Sequence, residues 1–129
     1  MPVVRKSVIA VVDDDQRILE SLKNLLESAG FSVRLFMSAQ SFLTDSPLSE
    51  IDCLITDIGM PAIDGFELQR RVEEARPDLP VILITGDHAM AAQQRAIRNG
   101  KENFFRKPFS GQELLSAVFQ KLSTARKIS

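Results

Sequence analysis

Three kinds of polar residue stand where apolar runs of this chain stop. Asp13-Asp14-Asp15 follow SVIAVV (7–12), Asp57 follows IDCLIT (51–56), Thr85-Gly86 closes and follows LPVILIT (79–85), and Lys107-Pro108 closes and follows NFFRK (103–107). Taken alone, Asp57 is equally readable as a helix cap, a metal ligand or a nucleophile. If the first and third runs are neighbouring strands about 4.8 Å apart, Asp57 and at least one of Asp13 and Asp14 bring their carboxylates within several ångströms. At about 4 Å and an effective dielectric near 20, two like charges repel by on the order of 4 kcal/mol. Such a crevice calls for a cation or a proton.

A hard, oxygen-ligated divalent ion such as Mg²⁺ suits carboxylates and keeps water positions open for a phosphoryl group. Soft-metal sites need Cys or His clusters, and a chain with one Cys and one His has none. An ammonium at Lys107 can hold one phosphoryl oxygen as a point charge and the Thr85 hydroxyl a second. Asp57 is then left to attack phosphorus in line. Each residue also has a plainer reading. Asp13 to Asp15 can cap a helix, and Asp15 is expected to do only that; Thr85 can be an ordinary strand residue, and Lys107 and His88 solvated surface side chains.

The elements that would gather these residues are legible from periodicity. Apolar runs rich in β-branched residues at 7–12, 31–36, 51–56, 79–85 and 103–107 predict strands. Ile18, Leu19, Leu22, Leu25, Leu26 and Ala29 fall on one face of a helix that Gly30 would close. The stretch after Asp64-Gly65, with Phe66, Leu68 and Val72, predicts a helix halted at Arg76-Pro77. Leu114, Leu115, Val118, Phe119 and Leu122 form the stripe of a last helix, 38–43 is a short helix candidate, and 89–99 is another with a thin stripe of Ala and Ile97. That thin stripe predicts looser packing than its neighbours. Strands alternating with helices imply a parallel sheet covered on both faces, with right-handed crossovers. In such a sheet, ligands bind beyond the carboxyl ends of the strands, where the winding reverses.

The totals agree with an ordinary soluble domain: 129 residues, 44% hydrophobic and 26% charged. Sixteen Lys+Arg against seventeen Asp+Glu give a net charge of −1, so bulk charge offers nothing to nucleic acid or an anionic membrane. Cys53 lies inside an apolar run and has no partner in the chain, which suits a buried thiol in a reducing compartment. The apolar stretch of MPVVRKSVIAVVDDD is too short to span a membrane and ends in acids, so the expected location is cytoplasmic. Residues 1–124 read as one domain and 125–129 as a polar tail that frays, the start of a linker if an output domain follows.

Together, VIAVVDDD, CLITDIGMPAIDGFEL, VILITGDH and NFFRKPFS resemble the receiver domain of bacterial two-component response regulators, over essentially the whole chain. The resemblance implies a flavodoxin-like α/β fold: a five-stranded, doubly wound parallel sheet of order 2-1-3-4-5 with five helices. It implies that Asp57 is the phosphoryl acceptor, that Asp13 and Asp14 hold Mg²⁺ (or Mn²⁺) with Asp14 the direct ligand of the pair, and that the Gly59 backbone carbonyl is a further ligand. Thr85 and Lys107 would read the phosphoryl group, and Pro108 would fix the turn after Lys107. Phe104 matches an aromatic position that swings inward as Thr85 moves, so that the face made by helix 89–99, strand 103–107 and the last helix changes its packing. Phe104 and Phe105 can equally be fixed core residues.

The implied partners are a sensor histidine kinase, a second copy on phosphorylation, and an output domain or protein that acts in transcription, with no direct nucleic acid or membrane contact by this chain. VRLFMSAQSFL with VILITGDH is most similar to receivers that precede a LuxR-type helix-turn-helix domain, and the chain is either an excised receiver or a stand-alone one. Gly59, Gly86 and Lys101 depart from the commoner pattern and bear on self-hydrolysis and on the loop after Thr85. The expected role is a signalling switch rather than a turnover enzyme; the chain would catalyse only its own phosphorylation and slow dephosphorylation. Two other readings remain at this stage: a degenerate receiver acting as a phosphorylation-independent interaction module, and a phosphatase, which would need a second acid beside Asp57 and a cap.

Overall fold

The computed structural model describes residues 6–60, 62–85, 104–106 and 110–128, with the side chains of 85, 104–106 and 124–128 outside the description. Five parallel strands, β1 (Val8–Val12), β2 (Ser32–Phe36), β3 (Cys53–Asp57), β4 (Val81–Thr85) and β5 (Phe104–Arg106), form one sheet of order β2-β1-β3-β4-β5. Four helices are described: α1 (Gln16–Ser28), α2 (Ala39–Asp45), α3 (Gly65–Ala75) and α4 (Gly111–Ile128), with a 3-10 turn at Leu48–Glu50. The helix expected over 89–99 lies outside the described residues.

Period two along the strands divides the core into two layers. Ala10, Val12, Leu54, Ile58 and Leu83 face one way, onto Phe42 of α2 and Leu68 and Val72 of α3. Ile9, Val11, Cys53, Ile55, Ile82 and Ile84 face the other, onto Leu19, Leu22 and Leu26 of α1 and Leu114, Val118 and Leu122 of α4. Every residue of β1 and β3 is buried, as central parallel strands require.

Local chemistry sets the helix starts. Asp15 accepts from the Arg17 N–H at 2.9 Å, Ser38 from Ser41 at 3.1 Å, and Asp64 from Glu67 at 2.9 Å. At the other end of α1, Gly30 adopts φ 93°, and the Phe31 N–H donates to Leu26. That left-handed position is the one where glycine is cheap.

One expectation needs correcting. Phe119 belongs to the apolar stripe of α4 but is 52% exposed, at the edge of the helix contact, with its ring on Phe31, centroids 5.1 Å apart. The backbone of α4 runs to Ile128, since Ala125, Arg126 and Lys127 are good helix formers and adding a residue to a formed helix costs little. No helix among the described residues is long and apolar enough to cross a membrane.

Candidate acidic site at the carboxyl edge of the sheet

The register makes β1 and β3 neighbours, with Val12 paired to Thr56, so Asp13 and Asp57 leave the sheet at the same level. Asp13 continues the strand pairing, its N–H donating to Phe36 O at 3.1 Å. Its Oδ1 accepts from the Asp15 N–H at 2.9 Å, a short Asx-type turn that starts α1 and leaves Asp14 at the apex. Asp15 caps α1, as its position in the sequence suggests.

One carboxylate oxygen from each of Asp13, Asp14 and Asp57 lies within 4.8 Å of the other two. Asp13 is fully buried, Asp57 is 5% exposed and Asp14 is exposed, so the set opens to solvent on one side. Buried carboxylates this close repel strongly unless a cation joins them or other groups bond them. The donors are all hard oxygens at one end of the sheet, which fits Mg²⁺ or Mn²⁺ and not a soft metal. The fit to the implied ion is good on the chemistry of the donors alone. Among the described residues this is the group of acids that could hold a metal.

The chain after Asp57 is tightly held. Ile58 N–H donates to Ile84 O at 2.8 Å, Gly65 N–H to Ile58 O at 3.0 Å, and Gly59 N–H to Asp57 Oδ1 at 3.4 Å. Thr56, fully buried behind the site, donates its hydroxyl to Asp57 O at 3.2 Å. Ala62 in this loop has φ 64°, which for a non-glycine residue costs about 1–2 kcal/mol. Sequence reasoning passed over Thr56, Ala62 and the contact made by Gly65; only the Asp64-Gly65 pair signalled a turn into a helix.

Thr85 and Phe104 are placed by backbone alone, at the end of β4 and the start of β5, with Thr85 paired to Arg106. Lys107 and Pro108, and likewise Gly86, His88 and Lys101, lie outside the described residues.

Residues 9–119 match the response regulator receiver domain family. Among curated proteins, the response regulator protein TodT of Pseudomonas putida is 41% identical over 121 residues, covering 94% of this chain and 53% of TodT. The transcriptional regulatory protein FixJ of Bradyrhizobium diazoefficiens is 36% identical, covering 88% of this chain and 55% of FixJ. The chain therefore spans about half the length of these relatives. Among solved structures, a receiver domain protein from Clostridium thermocellum superposes with a TM-score of 0.82 at 29% identity, covering 95% of this chain and 99% of that one.

Proposed function

The chain belongs to the response regulator receiver domain family, and on that premise we propose that Asp57 accepts a phosphoryl group and so switches the domain between two packings. The observation that carries this reading is the meeting of three carboxylates within 4.8 Å at the carboxyl edge of β1 and β3. Asp13, Asp14, Asp57 and the Gly59 carbonyl would hold Mg²⁺, or Mn²⁺ in its place. The ion supplies charge neutralisation for the phosphoryl oxygens and the acceptor carboxylate. An Asp57 oxygen attacks phosphorus in line, the P–N bond to a sensor kinase phosphohistidine breaks, and the imidazole leaves with the electron pair. Lys107 and the Thr85 hydroxyl each bind one of the remaining phosphoryl oxygens, and Pro108 fixes the turn beyond Lys107.

Movement of Thr85 toward the phosphoryl group draws Phe104 inward and shifts the face formed by the expected helix 89–99, β5 and α4. That helix completes a five-helix receiver fold. The changed face controls pairing with a second copy or with an output partner in a cytoplasmic phosphorelay. Relatives about twice as long, one of them a transcriptional regulatory protein, support a transcriptional output; the likeness of VRLFMSAQSFL and VILITGDH to receivers of that type carries the proposal that 1–124 is the receiver and that a LuxR-type DNA-binding domain follows.

Intact-mass measurement after incubation with Mg²⁺ and acetyl phosphate tests the reading. Wild-type protein gains one phosphoryl group, and the gain disappears in Asp57→Asn and with a chelator. A gain that persists in Asp57→Asn refutes Asp57 as acceptor; no gain in folded, Mg²⁺-bound protein with either acetyl phosphate or a phosphorylated kinase refutes the switch.

A further inference from the structure

We infer that Thr56 and Gly65 are positioning residues that fix the main chain of Asp57, and through it the direction of the acceptor carboxylate. This rests on the reading of Asp57 as acceptor. Two independent observations meet on the same atom, the carbonyl oxygen of Asp57. The buried Thr56 hydroxyl donates to it at 3.2 Å. From the α3 side, Gly65 lies so close that a Cβ built on it would stand 2.5 Å from Asp57 O and 2.7 Å from Ile58 Cα.

Both neighbours of that absent Cβ are backbone atoms, which cannot rotate away as a side-chain end can. Gly65 is also held in place by its own N–H bond to Ile58 O at 3.0 Å and by the Asp64 cap of α3. On the far side, the Ile58 N–H is fixed to Ile84 O at 2.8 Å in β4. The Asp57–Ile58 peptide is thus gripped between β4, the Thr56 hydroxyl and the first turn of α3. The φ of Gly65 is not in the left-handed region, so closeness, not backbone freedom, demands glycine here.

A methyl group at position 65 would force α3 and the Asp57–Ile58 backbone apart by about 1 Å, a displacement that at a reacting group costs roughly 10²-fold in rate. Loss of the Thr56 hydroxyl frees the peptide on its other side without adding bulk. Both changes alter where the Asp57 oxygens lie relative to Asp13 and Asp14, so both reach metal affinity as well as phosphoryl transfer.

The experiment compares wild type, Gly65→Ala, Thr56→Val, Thr56→Ser and Val8→Ala. Val8→Ala removes a buried side chain at the opposite edge of the sheet and reports what lost stability alone does. For each variant, calorimetry gives the Mg²⁺ dissociation constant, and intact mass gives the rate of phosphorylation by saturating acetyl phosphate. The expected result is at least a tenfold loss in both quantities for Gly65→Ala, a smaller loss for Thr56→Val that Thr56→Ser restores, and wild-type values for Val8→Ala. Wild-type Mg²⁺ affinity and rate in Gly65→Ala and Thr56→Val would overturn the inference, as would equal losses in Val8→Ala. If wild type binds Mg²⁺ but takes no phosphoryl group from either acetyl phosphate or a phosphorylated kinase, the acceptor reading fails while the affinity arm still decides the positioning role; a wild type that binds no Mg²⁺ overturns both.

Discussion

At the scale of single residues, burial does more than composition indicates. The Cys53 thiol is pushed up from 9.0 to about 12, chiefly by burial, with Lys121 opposing and the Asp52 charge adding to the shift. A folded-state value above the unfolded one means that the folded chain keeps a proton which the unfolded chain releases. The resulting stability is complete below pH 9.0 and is lost progressively as pH rises toward 12. Cys53→Ala is therefore expected to flatten the alkaline fall of the urea midpoint relative to wild type, even though the smaller side chain lowers the midpoint at neutral pH. A thiol reagent at neutral pH should label Cys53 only once the chain unfolds; prompt labelling of native protein would contradict its burial. The location of this thiol inside the sheet was legible from its apolar neighbours. The left-handed Ala62 was not, because nothing in Pro61-Ala62-Ile63 marks a positive φ where glycine or asparagine is absent.

Between elements, strands were read to within a residue or two because the apolar runs end at abrupt polar residues. The 3-10 turn Leu48–Glu50 was missed, since a single turn has no periodicity. It is held from a distance. Arg76, at the end of α3, sends Nη1 to Leu48 O at 2.6 Å and also to Ile51 O, while its Nε lies 3.5 Å from Asp78. One side chain thus ties the entry of β3 to the exit of α3, across 25 and 28 residues of chain. Arg76→Ala removes the guanidinium bonds to both carbonyls, leaving Leu48 O its bond from the Ile51 N–H at 3.2 Å, and is expected to cost about 1–3 kcal/mol in urea unfolding. Arg76→Lys should recover only part of that, because an ammonium lacks the planar fork. Full recovery by lysine would mean that charge alone holds the turn. Along α3 itself, Arg70 bonds Glu67 and Glu74, and Arg71 bonds Glu67. These hydrogen bonds, Arg70's first, lower Glu67 to about 2 and raise Arg70, so any stability that the pair contributes is present above pH 4.5 and fades as pH falls toward 2. Arg70, Arg71 and Glu74 are exposed and the Glu67 side chain is 34% exposed, so water and salt screen the effect.

For the whole molecule, the winding of the sheet determines what the acids can do. The sequence placed Asp13, Asp14 and Asp57 at strand ends; their meeting depends on β1 lying beside β3, a long-range pairing that no local pattern encodes. That pairing concentrates like charge, so the fold is stable in spite of its site. At 4.8 Å and an effective dielectric near 20, two unit charges repel by about 3.5 kcal/mol, and exposure of Asp14 reduces its share to about 1 kcal/mol or less. Two opposite effects follow for Asp14→Asn. Without metal, the variant is expected to be as stable as wild type or up to about 1 kcal/mol more stable, most clearly at low salt. With Mg²⁺ at 100 times its dissociation constant, wild type gains about 2.7 kcal/mol, whereas the variant at the same Mg²⁺ concentration is expected to gain less than half of that, because the ligand proposed at position 14 is gone. Thermal unfolding of both proteins with and without Mg²⁺ separates the two effects. A variant that is less stable without metal and gains fully with it would assign Asp14 to the start of α1 and leave the ion to Asp13 and Asp57.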